Sequence, residues 1–381
     1  MNEELKVLQE NVACFAQRHI GCRHDLLSMD GFPYDIWTKL GDEKLLGLGI
    51  SKEYGGLGGN YLSIAVAGEA LIRNGRNMGI GLSWLTHHAV SRFLILGFGT
   101  KEQQEKYLHK LARGVITASI AVSEPGRGAH PKYLEASAYR WGDSYVLKGG
   151  KTYLTNGPIA DLFIVVVSTG EDEKRKRFTA FIVPKDTEGL SVNEPMKLDF
   201  FRPAPHGGIT LSDCIVPASN ILGKECSAYD DMVKPFGEVE DVLMMGLMVG
   251  GMEWQLELFL GLVAEQGIDS SSYELKRDLG ELQSIVDTLR IIAYESASML
   301  DGSVKHAELI SLLICFRNLS RQFQDLLERR IEREKIGEES ELHSLTKELS
   351  LGMRMGDKGI SIKQGKLGEM LLTGKDAYER P

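Results

Sequence analysis

Two short stretches of this 381-residue chain combine residue types that could do chemistry. In Val122-Ser123-Glu124-Pro125-Gly126-Arg127-Gly128, glycine permits close approach of the backbone to a ligand. Ser123 adds a hydroxyl beside exposed N–H groups, which suits the polar edge of a flat ring. The same residues also build an ordinary turn after a strand. In Thr152-Tyr153-Leu154-Thr155-Asn156, alternation along a strand places Tyr153 and Thr155 on one face, where an aromatic plate and a hydroxyl could meet one ligand. A core tyrosine in a sheet has that pattern too. Met244, Met245, Met248 and Met252 recur at helical spacing, so they either line an adaptable apolar pocket or simply pack a helix core. No metal chemistry is suggested. The nine histidines lack ligand spacing, with His87 and His88 adjacent, and the five cysteines are scattered without a C-x-x-C pair.

The elements that must position these residues follow from composition and period. At roughly 150 residues per domain the length predicts two or three domains, and 43% hydrophobic with 25% charged residues is a globular balance. The net charge of −9 gives no basic footprint for nucleic acid or anionic membrane. No stretch approaches the roughly 20 apolar residues of a membrane span. The acidic, amphipathic start is unlike a signal segment, so a cytoplasmic location is expected.

Residues 1–118 read as a helical domain, with residues 35–40 and 61–72 at helical spacing and a glycine-rich connector at 51–59. Residues 119–225 change to a period of two and form a β domain, with strands predicted at 145–147, 163–167, 178–183 and 208–211. Gly149-Gly150 and Thr169-Gly170-Glu171-Asp172 are the expected turns. Residues 226–381 return to helices at 239–263, 275–300, 306–331 and 342–372, and the charged stretch 328–341 reads as a solvated helix end.

Ordered phrases then resemble the acyl-CoA dehydrogenase family. They are Gly31-Phe32-Pro33, Leu46-Gly47-Leu48-Gly49-Ile50, Glu53-Tyr54-Gly55-Gly56-Leu57-Gly58 and Phe98-Gly99-Thr100-Lys101-Glu102-Gln103-Gln104. Ala118-Ser119-Ile120-Ala121-Val122-Ser123-Glu124-Pro125-Gly126, Gly149-Gly150-Lys151-Thr152-Tyr153-Leu154-Thr155-Asn156-Gly157 and Leu211-Ser212-Asp213-Cys214-Ile215-Val216-Pro217 follow in that family's order. They cover about the first 250 residues. The resemblance implies an α+β multidomain fold with an N-terminal helical domain, a central β-barrel-like domain and a C-terminal four-helix bundle. It implies FAD held in extended form without a G-x-G-x-x-G loop. Ile120, Val122, Ser123, Gly128, Tyr153 and Thr155 would hold the isoalloxazine, while Ala129 and Met244 would face the substrate. Glu240 falls on the glutamate that serves as base in some members, taking the α proton of an acyl-CoA while the β hydrogen passes to flavin N5. Electron-transfer flavoprotein or a similar acceptor, and assembly as a homotetramer or heterotetramer, come with the same resemblance.

The chain departs from the family at several places. Ala129 and His130 stand where a serine that helps hold the CoA arm and an aspartate are usual, and Asp241 replaces an arginine beside Glu240. Glu265-Gln266-Gly267-Ile268-Asp269-Ser270 lacks the arginine and phenylalanine of the usual cross-subunit FAD contact. A later Gln-x-x-Gly-Gly phrase is not evident, although Leu351-Gly352-Met353-Arg354-Met355-Gly356 lies in its region. Tyr378-Glu379-Arg380-Pro381 is a chance likeness to the phrase that carries the base in other members. Two further readings therefore stand beside the dehydrogenase: a non-catalytic partner subunit of a mixed tetramer, and a flavoenzyme for a non-CoA substrate.

Overall fold

The structure, a computed structural model, describes residues 2–29, 31–172, 175–302, 306–355 and 357–374. Contacts divide the chain into two compact units, Met1–Cys22 with Tyr61–Arg76 and Asp241–Pro381, and Arg23–Asn60 with Asn77–Glu240. The three contiguous stretches read from period changes do not follow these units. A change of period marks where the type of element changes, whereas a unit gathers whichever elements bury one another.

The first unit is helical. Helix α1 (Glu3–Ala16) starts on Asn2, whose Oδ1 accepts from the Leu5 amide at 3.0 Å. Helix α3 (Tyr61–Gly75) has an external cap, because Asp301 at the end of α7 (Tyr273–Asp301) accepts from the Tyr61 and Leu62 amides at 2.8 and 3.1 Å. Helix α6 (Lys234–Glu265) enters this unit from Asp241 onward and crosses α3 at close range. A Cβ on Gly246 would stand 2.5 Å from the Ala65 carbonyl oxygen, and one on Gly250 2.4 Å from that of Glu69, so only glycine fits the crossing. An ion cluster joins the same helices. Arg290 Nε and the Tyr294 hydroxyl each donate to Glu69 at 2.8 Å, and Arg290 also reaches Glu253. Burial, with the Glu69 charge beside it, pushes the Glu253 carboxyl up to about 7 against the pull of Arg290 and Arg73.

Helix α8 (His306–Arg333) is followed by α9 (Glu341–Met355) and α10 (Asp357–Thr373), which occupy the stretch expected to be helical over 342–372. Arg330 corrects the reading of 328–341 as a solvated end, for it is 3% exposed and its Nε donates to Asp278 at 2.6 Å. Contrary to expectation, one helical stretch among the described residues, Tyr229–Glu265, is long and apolar enough to cross a membrane. Its best 18-residue stretch has a mean hydropathy of 1.3, but 67% of it is buried inside the protein, the placement of a core helix. Glu379 lies outside the described residues.

The second unit packs helices on a sheet. Helices α2 (Tyr34–Asp42), α4 (Met78–His88) and α5 (Lys101–Ala112) belong to it, α5 opening on a reciprocal capping box between Thr100 and Gln103. The eight strands among the described residues are β1 (Ala118–Ala121), β2 (Ser137–Trp141), β3 (Ser144–Thr155), β4 (Leu162–Glu171), β5 (Lys176–Pro184), β6 (Leu190–Val192), β7 (His206–Pro217) and β8 (Ile221–Leu222). Their order is β6-β7-β3-β2-β4-β5-β8, with β1 parallel to β4. Strand β4 shows why its sequence is an unbroken apolar run. Ile164 and Val166 bury against helix residues Leu94, Leu108 and Leu111, while Phe163 and Val165 join Tyr145, Leu147, Leu211 and Val216 in a second core.

Both expected glycine turns move. Gly149 and Gly150 lie inside β3, at a register shift against β7, and Gly170 lies inside β4 at another shift, so β4 runs on through Gly170 to Glu171. Gly149 has φ +132°, and a Cβ there would come within 2.6 Å of the Ala136 Cβ. Gly149→Ala therefore combines a disallowed backbone with a clash, and should lower stability by about 2–4 kcal/mol in chemical denaturation. An unchanged midpoint would show that this part of β3 is not held as described.

Candidate active site

The site begins with two buried charges. Lys151 on β3 is wholly buried, and its ammonium donates to the Glu124 carboxylate and to the Val122 carbonyl, both at 2.9 Å. Glu124 also accepts from the amides of Glu135 at 2.7 Å and Ala136 at 2.9 Å, so its oxygens are well supplied with donors. Burial alone would raise the Glu124 carboxyl. The Glu135 amide, the Lys151 ammonium and the Ala136 amide outweigh it and leave the carboxyl below its ordinary range. Burial lowers the Lys151 ammonium, partly opposed by Glu124. A backbone bond from the Thr152 amide to the Ser123 carbonyl at 2.9 Å completes the clamp between the segment just after β1 and the later half of β3.

The loop after β1 closes on itself. The amide of Glu124 donates to the Gly128 carbonyl at 3.0 Å and that of Gly128 returns to Glu124 at 3.2 Å, with Gly126 at φ +72° and Gly128 at φ +65°. The Tyr229 hydroxyl donates to the Ala129 carbonyl at 3.2 Å.

Beyond Lys151, β3 shifts register against β7, and Tyr153 adopts φ +58°. Strand alternation, the expected means of bringing Tyr153 and Thr155 to one side, is therefore not what does it. The bulge re-aims Tyr153, which stays 61% exposed beyond the part of β3 that pairs with β2. Thr155 is fixed at its carbonyl by the Ser119 hydroxyl at 2.7 Å and at its own hydroxyl by His206 Nε2 at 3.2 Å. Asn156, at φ +63°, donates through its side chain to the Ser83 carbonyl at 2.9 Å and turns the chain away.

The third wall is a helix. A wider π turn at Tyr229–Val233 leads into α6, and Val233, Phe236, Gly237 and Glu240 occupy positions i, i+3, i+4 and i+7. Together with Thr86 of α4, these walls enclose a cavity of about 240 Å³. It is lined by Ile120, Val122, Ser123, Ala129, Thr152, Tyr153, Thr155 and the helix stripe ending in Glu240. A carboxylate thus faces hydroxyls, an aromatic plate and apolar groups across one small space.

Of the residues expected from sequence, Ile120, Val122, Ser123, Ala129, Tyr153, Thr155 and Glu240 come together here. Gly128 does not line the cavity, because its role is to close the loop. Met244 does not either. It lies one helical turn beyond Glu240, half-buried, in the other compact unit. Asp241 is exposed and pairs with Lys363 of α10, so it does not share the cavity with Glu240, as adjacent helix positions point about 100° apart. Thr86, Thr152, Val233, Phe236 and Gly237 were not foreseen. Once Glu240 is chosen, helical spacing alone finds the three on its helix, whereas no local signal points to Thr86.

The cavity fits a flat heteroaromatic ring. Tyr153 and the apolar side chains offer faces, and Ser123, Thr152 and Thr155 offer hydroxyls at the edges. No cation for a pyrophosphate arises in the turn after α6, where Asp269 instead accepts from the Ser271 amide and hydroxyl at 2.9 and 2.6 Å.

Residues 2–115 match the family model for the acyl-CoA dehydrogenase N-terminal domain and residues 119–214 that for its middle domain, together more than half of the chain. The chain belongs to the acyl-CoA dehydrogenase family. Among curated relatives, it is 31% identical over 235 residues to a short-chain-specific acyl-CoA dehydrogenase of Clostridium acetobutylicum, covering 61% of this chain and 62% of that one. It is 34% identical over 222 residues to the L-prolyl-[peptidyl-carrier protein] dehydrogenase of Pseudomonas fluorescens, covering 58% of each. These matches span less than two thirds of those relatives. The fold is shared with a solved FAD complex of PigA, at a TM-score of 0.87 and 21% identity over 98% of this chain and 99% of that one.

Lys151→Met strands the Glu124 charge in the interior and should cost about 3–5 kcal/mol at neutral pH. Because the folded Glu124 carboxyl lies below its unfolded value, its contribution is complete above the ordinary carboxyl range and lost as pH falls through the folded value. Denaturation midpoints of wild type and variant should therefore converge on acidification, and a constant gap down to pH 3 would contradict the pairing.

Proposed function

We propose that the chain is a flavin-dependent dehydrogenase that removes the α and β hydrogens of an acyl thioester, with Glu240 as the base and the FAD ring in the cavity. The convergence of Ile120, Val122, Ser123, Tyr153 and Thr155 opposite Glu240 carries this reading. FAD, when bound, supplies the two-electron acceptor. Ser123, Thr152 and Thr155 hold the ring by its polar edges, and Tyr153 covers a face. Ile120, Val122, Val233 and Phe236 keep bulk water from the reacting carbons. The Glu240 carboxylate takes the α proton, while Gly237, beside it on the helix, leaves room because a Cβ there would meet nothing within 4 Å.

Acyl-CoA is the proposed substrate. A specific observation favours a second form of the same chemistry. Ala129 stands where the resemblance puts a serine for the CoA arm, and one relative is named for an L-prolyl group on a peptidyl-carrier protein. Both donors present an acyl group on a pantetheine thiol, so they divide on the arm beyond it. An electron-transfer flavoprotein is the proposed acceptor. Exposed Ile362, Leu371 and Leu372 on α10 support assembly into a tetramer of like or mixed chains.

Anaerobic titration of the FAD-loaded protein with acyl-CoA and acyl-pantetheine esters tests the proposal. Bleaching of the flavin band is expected. Glu240→Gln should slow that bleaching by at least about 10²–10⁴-fold while leaving flavin uptake intact. Equal rates in variant and wild type would remove Glu240 from the reaction. Protein that takes up no FAD and gains activity only with a companion chain would instead identify a partner subunit.

A further inference from the structure

Glu69 of α3 and Glu253 of α6 are buried carboxylates of the helical unit, and Arg290 of α7 donates to both. All but one of their oxygens are engaged. Glu69 accepts from Arg290 Nε at one oxygen and from the Tyr294 hydroxyl at the other, each at 2.8 Å. Glu253 Oε1 accepts from Arg290 and, at 3.3 Å, from Arg73. Glu253 Oε2 is buried with no hydrogen-bond partner among the described residues, on a side chain 9% exposed. A buried acceptor left bare costs more than an ordinary hydrogen bond contributes, so a donor is missing at this oxygen. Glu253 stands in the wall of a cavity of about 460 Å³, which it shares with Gln9 of α1 and with Arg73, Ile291 and Tyr294.

Charge and donor count narrow the choice. The connected cluster holds four carboxylates, of Glu69, Glu253, Glu257 and Asp287, against three guanidiniums, of Arg73, Arg76 and Arg290. One negative charge is left over. An anion would add to it and face the bare oxygen. A metal ion needs several oxygens, and no group of three acidic, histidine or cysteine side chains able to hold one occurs among the described residues. A primary ammonium brings one positive charge and three N–H donors. Glu253 Oε2 accepts one of them. Gln9 adds an amide oxygen to the same cavity, and the Tyr294 hydroxyl, whose proton goes to Glu69, keeps lone pairs. Ile291 and the Tyr294 ring supply apolar surface for a short carbon chain.

We propose that this cavity binds a protonated primary amine, with the Glu253 carboxylate as its counter-ion. The site draws on no residue of the candidate active site. Burial and the Glu69 charge push the Glu253 carboxyl up to about 7, against Arg290 and Arg73. A bound amine favours the ionised form, so affinity is full above that value and is lost as pH falls through it. Tyr294, pushed up by burial and by Glu69, keeps its proton throughout.

Calorimetric titration of the full chain with n-butylammonium chloride should show saturable one-to-one binding at about millimolar concentration. Tetramethylammonium, which has the charge but no N–H, should not bind. Between pH 6 and pH 8 the butylammonium affinity should rise about tenfold, and at pH 7 about half a proton should leave per amine bound, read from the heats in two buffers of different ionisation enthalpy. Glu253→Gln should weaken binding about tenfold or more at pH 8 and abolish the proton release. Should that variant not fold, the proton release of the wild type still decides the matter. Butylammonium binding no tighter than tetramethylammonium, or binding at pH 7 without proton release, overturns the proposal. Sedimentation separates the two sources of such an amine. An assembly that saturating butylammonium dissociates identifies a lysine side chain of a second copy, whereas an unchanged mass identifies a free small amine.

Discussion

Lys151 and Glu124 place two full charges where water does not reach, and the centre of the sheet unit is built around keeping both satisfied. Such a pair contributes little net stability when intact but is costly to break, so it acts mainly as a constraint on geometry. Here the constraint is tight. Glu124 needs the amides of Glu135 and Ala136, and Lys151 needs the Val122 carbonyl. Meeting those needs fixes the strand end that carries Ile120, Val122 and Ser123 against the strand that carries Thr152, Tyr153 and Thr155. The cavity's two sheet walls are thus positioned by charges that never touch a ligand.

The remaining wall has a different origin. Val233, Phe236, Gly237 and Glu240 share a face because 3.6 residues make a turn, and the π turn that ends on Val233 leads into that face. The next residue, Asp241, falls on another side of the helix and finds Lys363. Two adjacent carboxylates that look like a repelling pair in the sequence therefore have separate surroundings. The same separation explains how a single apolar core helix can also carry an acid at a reactive place.

Much of this was legible in the sequence. The α, β, α order, the four principal strands and the long C-terminal helices follow from local period, which depends only on near neighbours. The residue types of the site were legible too, since hydroxyls, an aromatic and a carboxylate recur in recognisable phrases. The misreadings share one cause. Gly149-Gly150 and Gly170 have turn composition but sit in strands, because register shifts against β7 and β5 use the same glycine freedom as a turn. Arg330 belongs to a charged stretch but is buried, because Asp278 waits for it on another helix.

The sequence by itself determined the elements, the family and most of the residues around the cavity. The tertiary structure decided how they meet: that a bulge rather than alternation aims Tyr153, that Thr86 joins the lining, and that Met244 and Gly128 do not. It also set the Thr155 hydroxyl beside the His206 imidazole, its register partner across the ladder. Periodicity is a property of neighbours along the chain. Register, burial of charge and the sense of a hydrogen bond belong to partners that only folding brings together.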